Sequence, residues 1–233
     1  NRKDVLLIIC ASATSWIINK VFKNRGGLHN RVTVRIPLAP FTLKECELYA
    51  KERGLKLSRY QILNLYMVMG GVALYWSLLD KQYSAVQNID QLFFNKDAKL
   101  QGEFNDLYDS LFKHPEAYKS IVVTLGKHLS GLTRQELLKY TAQADNGVFS
   151  DRLEELEECG FIMKMRAFPK SKKEAIYKLC DNYTIFYFKY IKSNAGIKDF
   201  WTKNFKSQSI KSWSGFSFER VCLQHISQIK KAI

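Results

Sequence analysis

The chain has 233 residues, 46% of them hydrophobic and 13% aromatic, with 4 prolines, 12 glycines and no low-complexity run. It can therefore bury a real core, is long enough for two or three modules, and is unlike a disordered linker. The formal net charge of +14 is uneven, because Gly160 to Ile233 holds 15 of the 36 Lys and Arg against 4 of the 22 acids, which puts +11 there and +3 in the rest. Such a basic field suits polyanions, either nucleic acid or an acidic protein surface, and equally a plain lysine-rich solvated surface. The longest apolar stretches, Val5 to Ala11 and Ile62 to Trp76, fall short of a membrane span, so a soluble protein with no membrane partner is expected. Five cysteines (Cys10, Cys46, Cys159, Cys180, Cys222) are odd in number and widely spaced in apolar surroundings, which fits buried thiols in a reducing cytoplasm. Four histidines stand far apart with no partner at ligand spacing, so no metal site is expected. The chain begins at Asn1 without a methionine and shows no signal peptide, so its natural start is expected upstream.

Asp4 to Ala11 (DVLLIICA) reads as a strand buried on both faces, as in parallel α/β sheets. Ser12, Thr14 and Ser15 follow at its carboxyl edge, where the ligand crevices of such sheets lie, and they can equally cap a short helix through Val21. A Gly- and Asn-rich loop leads to a second strand, Val32 to Leu38. Two strands make no stable parallel sheet alone and leave one edge open, which predicts pairing with a partner chain or a homo-oligomer.

Thr42 with Glu45, and Ser58 ahead of Tyr60 to Met69, mark the starts of two helices that end at Gly54 and at Gly70 and Gly71. Helices over Val72 to Leu79, Val86 to Phe94 and Gln101 to Phe112 complete an antiparallel helical subdomain. From Pro115 the pattern changes. Helices over Tyr118 to Leu129, Arg134 to Tyr140 (capped by Thr133 with Glu136) and Gly147 to Cys159 (with Val148 or Phe149 on the apolar side) precede two strands, Phe161 to Phe168 and Ala175 to Leu179. The lysine-rich tip Pro169 to Glu174 joins those strands. Three short helices followed by a β-hairpin is the order of a winged helix-turn-helix. The aromatic run Tyr183 to Tyr190 suits a strand or a buried helix, with a helix favoured. Lys192 to Lys211 reads as a polar connection, and Phe216 to Ile229 as an amphipathic helix. The whole is mainly α with small β parts, an α+β class.

Six segments in this order, LLIICASATSW (Leu6 to Trp16), GLHNR (Gly27 to Arg31), LAPFTL (Leu38 to Leu43), GGVALY (Gly70 to Tyr75), Tyr183 to Tyr190 and FSFE (Phe216 to Glu219), resemble a bacterial and archaeal family of P-loop ATPases. That family is close to the AAA and STAND groups and carries a winged helix and then a restriction-nuclease-like domain. The resemblance implies four parts: residues 1–40 as the end of the nucleotide domain, 41–113 as a helical lid, 114–182 as the winged helix, and 183–233 as a linker and the first helix of a truncated nuclease-like domain. It implies that Ser12 or Thr14 sits near the γ-phosphate as a sensor-one hydroxyl and that Arg31 acts as an arginine finger, while Glu219 matches the first-helix acid of the nuclease. It also implies ATP and Mg in the parent protein, with the rest of that ATPase as partner. Where the family prefers proline this chain has Ala73, which bears on the geometry of that turn.

No G-x-x-x-x-G-K-[ST] loop and no aspartate-ended apolar strand of Walker B type occurs, so ATP hydrolysis is not available to this chain alone. Glu219 lacks the later Asp and Glu-x-Lys that would hold a metal, and as it stands is equally an exposed helix carboxylate. The helix Gly147 to Cys159 carries Asp151, Glu154, Glu155, Glu157 and Glu158 against a single Arg152, which argues against its entering a DNA groove. Nucleic-acid contact is then left to the wing lysines Lys170, Lys172 and Lys173 and to the basic C-terminal part, and the acidic helix to a protein partner.

Overall fold

A computed structural model of the chain describes residues 6, 8, 33–34, 36, 38–165 and 175–233. Over these residues the protein is mainly helical with one three-stranded antiparallel sheet. The strands expected over Asp4 to Ala11 and Val32 to Leu38 lie largely outside them.

Helix α1 (Leu43–Glu52) starts at Thr42, whose hydroxyl accepts from the Glu45 N–H while the Glu45 carboxylate accepts from the Thr42 N–H at 2.7 Å. Ser58 and Gln61 repeat this box at α2 (Arg59–Met69). That helix is apolar almost all round and occupies the centre of the subdomain, with Leu65, Val68 and Met69 fully buried. It stops at Gly70, whose φ of 62° with ψ of −154° is a region open to glycine. At Gly71 a Cβ would run into the Phe41 main chain, whose N–H donates to the Gly71 carbonyl at 2.7 Å. The glycine pair thus lets the segment before α1 lie directly on the exit of α2. Trp76, buried in α3 (Ala73–Ser77), closes the turn by donating its indole N–H to the Gly70 carbonyl at 2.8 Å. Helix α4 (Ala85–Ile89) runs into a π-helical turn, Asp90–Phe94, and α5 (Glu103–Leu111) follows.

Next come α6 (Pro115–Lys127), β1 (Leu132–Thr133), α7 (Arg134–Thr141), α8 (Gly147–Glu158), β2 (Ile162–Met165) and β3 (Ile176–Leu179). Strand β3 lies between β1 and β2 and is antiparallel to both, with Leu132 opposite Tyr177 and Ile162 opposite Leu179. This order and pairing is that of a winged helix. Asn146 caps α8 through the Phe149 N–H, and Phe149 is buried while Val148 is exposed, which decides between the two apolar candidates.

Ring contacts fasten this module to the helix before it: Phe112 stacks on Tyr118 at 4.0 Å and Tyr108 lies 4.7 Å from Phe161. The flanking helices also meet each other, where Phe104 stacks on Tyr187 at 4.4 Å. The aromatic run after β3 is helical, as favoured: α9 (Asn182–Phe186), a π-helical turn Tyr187–Ile191, and α10 (Lys192–Asn194). It packs back on the first subdomain through Tyr183 against Tyr75 and Phe186 against Phe93. At Gly126 a Cβ would meet the Phe188 ring at 2.5 Å, so α6 and this helix approach as closely as the missing side chain allows.

Two expectations need correction. The stretch Lys192 to Lys211 is not a plain connection, since it contains α11 (Phe200–Asn204) and puts Trp201 in the core. Asp199 at the start of α11 is left-handed (φ 58°) and makes no side-chain cap there. The cap comes from Asp90, which is buried in the first π-helical turn; its carboxylate accepts from the Trp201 N–H (2.7 Å), the Thr202 N–H (2.9 Å) and the Thr202 hydroxyl (2.6 Å). Asn95 accepts from the Asp199 N–H at 3.0 Å beside it. In place of one helix over Phe216 to Ile229, α12 (Gln208–Gln224) starts earlier, capped by Ser207, and gives way at His225 to α13 (Ile226–Ala232).

Candidate functional site

Two places carry polar chemistry that packing alone does not require. The first is the outer face of α8. Phe149, Leu153 and Leu156 face the core, which leaves Val148, Asp151, Glu154 and Glu158 in solvent. The remaining charges of this helix are committed locally. The Tyr118 hydroxyl donates to Glu155, and burial, reinforced by that carboxylate, pushes the Tyr118 hydroxyl well above the usual phenol range. Arg152 donates to Gln143 Oε1 at 2.6 Å, and Glu157 accepts from the Lys164 N–H at 3.3 Å. The free face is therefore acidic with one exposed valine. A groove lined by phosphates would repel it, and a basic protein surface would complement it.

The second place is a polar junction where the end of β3, α12 and the start of α1 meet. Asp181 caps α9 through the Thr184 N–H at 2.7 Å. Burial raises its carboxyl, opposed by the Thr184 bonds and by the nearby Arg220 charge. Arg220 donates Nε–H to Asn182 Oδ1 at 2.7 Å and Nη2–H to Ser217 Oγ at 3.1 Å. Asn182 also donates to Gln224 Oε1 at 3.2 Å, and Gln224 donates to the Cys180 carbonyl at 3.1 Å. One residue further on, His225 is buried with Nδ1 2.8 Å from the Val221 carbonyl and Nε2 3.0 Å from the Leu43 N–H. A carbonyl only accepts, so Nδ1 carries the proton and Nε2 is the acceptor for Leu43. Through these bonds α12 holds both the first residue of α1 and the exit of the winged helix.

Glu219 is exposed on α12, next to the inward-turned Arg220. Among the described residues no three His, Cys, Asp or Glu side chains gather as they would around a metal ion. Ser12, Thr14, Arg31 and the wing lysines Lys170, Lys172 and Lys173 lie outside the described residues. Sequence reading reached the acidic face of α8 through its run of carboxylates. It missed the junction, whose members Asn182, Arg220, Gln224 and His225 are spread along the chain and share no spacing that signals contact. Among the described residues no helix is long and apolar enough to cross a membrane.

No family model matches the chain, and no solved structure matches it. Among curated proteins it is similar to the uncharacterized protein MJECL04 of Methanocaldococcus jannaschii, at 26% identity over 241 residues, which cover 97% of this chain and 50% of that protein. The chain thus spans about half the length of the curated relative it matches.

Proposed function

We propose that this chain is the coupling portion of an AAA- or STAND-like ATP-binding protein, with the winged helix as a partner-binding module and no catalysis of its own. The observation that carries the reading is the junction at His225. Residues before Leu43, where Ser12, Thr14 and Arg31 would meet ATP and Mg in the parent protein, enter the fold at an N–H held by His225, the residue that ends α12. The same helix is bonded to the winged-helix exit through Gln224 and Asn182. A shift at the start of α1 is therefore passed to the module that displays the acidic α8 face. The six matching segments supply the nucleotide side of this reading, and the acidic face supplies the choice of a protein over a DNA groove as partner.

The isolated chain is expected to show neither ATP turnover nor Mg-dependent nuclease activity; either one above a mock preparation sinks the proposal. In a protein carrying this chain behind a phosphate loop, hydrogen exchange over residues 147–158 should change when ATP and Mg are added. His225→Phe should abolish that change while ATP binding stays within about twofold. Exchange that is indifferent to ATP in the unaltered protein removes the coupling role.

A second reading, a winged-helix regulator holding nucleic acid through Lys170, Lys172 and Lys173, is favoured by the uneven +14 charge alone. A salt-titrated DNA-binding assay of the triple alanine variant decides it, and unaltered binding takes the wing out of the account.

A further inference from the structure

The segment from Asn182 to Ser214 contains six lysines, no arginine and a single acid, Asp199. Three of its aromatic side chains turn inward and build a hub: Tyr190 lies 5.3 Å from Trp201 and 5.6 Å from Trp213, and the two indoles lie 5.8 Å apart, each pair nearly edge-to-face. Asp90 fixes the Trp201 corner and the Tyr190 hydroxyl reaches the Ser209 carbonyl at 3.4 Å, so three helices are locked around one hub. The lysines lie within a few residues of that hub: Lys189 and Lys192 beside Tyr190, Lys198 and Lys203 on either side of Trp201, and Lys206 and Lys211 leading into Trp213. All six are exposed, and none has a carboxylate partner among the described residues. Lys203 Nζ donates only to the Lys198 carbonyl at 3.0 Å, and Lys206 Nζ stands 5.5 Å from the Phe205 ring.

We propose that these exposed lysines, carried on elements that share one buried aromatic hub, bind the phosphate backbone of double-stranded nucleic acid, independently of the wing and of sequence. Lysines on flexible stems meet phosphates as point charges and impose no planar recognition geometry, which fits backbone contact without base reading. Single strands are the poorer fit, because they are held by stacking on exposed rings, and here Tyr190, Trp201 and Trp213 are buried. An anionic membrane is the alternative that the test separates, since Ile197 and Phe205 on this segment, and Phe216 and Phe218 further along α12, are exposed apolar side chains. The six lysines belong to elements other than α8, so they can be changed without touching the acidic face, and the ATP-linked reading and this one can fail separately.

The test is fluorescence anisotropy with a labelled mixed-sequence duplex of about two helical turns, titrated with salt. If about four or five lysines meet phosphates, affinity should fall roughly 150- to 500-fold between 50 and 200 mM salt. Lys203→Glu, Lys206→Glu and Lys211→Glu together should weaken duplex binding by well over tenfold and make the log–log salt slope shallower by about 3. The triple Lys44→Glu, Lys51→Glu and Lys56→Glu makes the same charge change on α1 and its exit, and should bind within about threefold of the unaltered chain. Circular dichroism monitors folding, and if the glutamate triple unfolds, the glutamine triple at the same positions takes its place. Equal losses in both charge-matched triples overturn the proposal, as do tighter binding to a single strand of equal length, sedimentation with phosphatidylserine vesicles without duplex binding, or loss confined to the wing triple.

Discussion

Replacing Asp90 by alanine removes three short hydrogen bonds at once and leaves the first turn of α11 without a cap. The Trp201 N–H is buried and has no water to turn to, whereas Thr202 is exposed and recovers part of its loss from solvent. A stranded buried donor costs about 1–3 kcal/mol, and a lost cap adds about 0.5–2. We expect a loss of about 3 kcal/mol for Asp90→Ala. Asp90→Asn should cost about 2 kcal/mol, because its carbonyl still accepts one N–H while its amide opposes the other. For a chain of this length 1 kcal/mol corresponds to about 2–4 °C in Tm, so the alanine variant should melt roughly 6–12 °C lower. Thermal unfolding followed by circular dichroism measures the shift. Amide hydrogen exchange at Trp201 and Thr202 should accelerate in step with it. A Tm within about 2 °C of the unaltered protein, with slow exchange at Trp201, would refute the idea that this cap in trans holds the C-terminal helices.

Gly71→Ala drives a methyl group into the Phe41 main chain, which is backbone and cannot step aside, so the variant should lose more than about 3 kcal/mol or fail to fold; a near-normal Tm would contradict the observed turn. Burial holds the Glu103 carboxyl above its ordinary range, opposed by the Tyr75 hydroxyl that donates to it at 2.8 Å. A carboxyl raised in the folded state favours folding below its unfolded pKa and loses that contribution as pH rises through the folded value. Glu103→Gln should therefore gain stability relative to the unaltered protein as pH rises above the usual carboxylate range, and parallel pH profiles of Tm would count against this. Burial also pushes the Cys46 and Cys180 thiols up to about 12, so neither should react with iodoacetamide at pH 8 in the native protein; mass spectrometry of labelled peptides checks this.

Capping chemistry made much of the fold legible. Thr42 with Glu45, and Thr133 with Glu136, close the boxes that their spacing predicts, and Gly70 ends α2 where a helix stop is expected. The order of helices and strands over residues 115–179 was readable because its signals are local: caps, periodicity, and two short strands after the third helix. Helix α11 was not, because the group that caps it sits on another helix, 111 residues away for the Trp201 N–H, and no local pattern reports that contact. Without it, Asp199 to Lys206 looks like connecting chain. The early start of α12 was missed for a different reason, since Ser207 stands among other polar residues that disguise a cap. The break at His225 follows from packing, as the imidazole turns inward to meet Leu43. Of the candidate site, the acidic α8 face was visible in the run of carboxylates, while the junction depends on side chains brought together by the completed fold.

The ring contacts that clamp the winged helix on both sides bear on how the protein can be divided. Cut out at Pro115 and Asp181, the module would lose Phe112 from Tyr118, Tyr108 from Phe161 and Phe188 from the bare backbone at Gly126. It would then present an unsatisfied greasy seam to water. A stable shorter unit has to keep residues 103–112 and 182–191 with it, so residues 115–179 fold as part of a larger packed block.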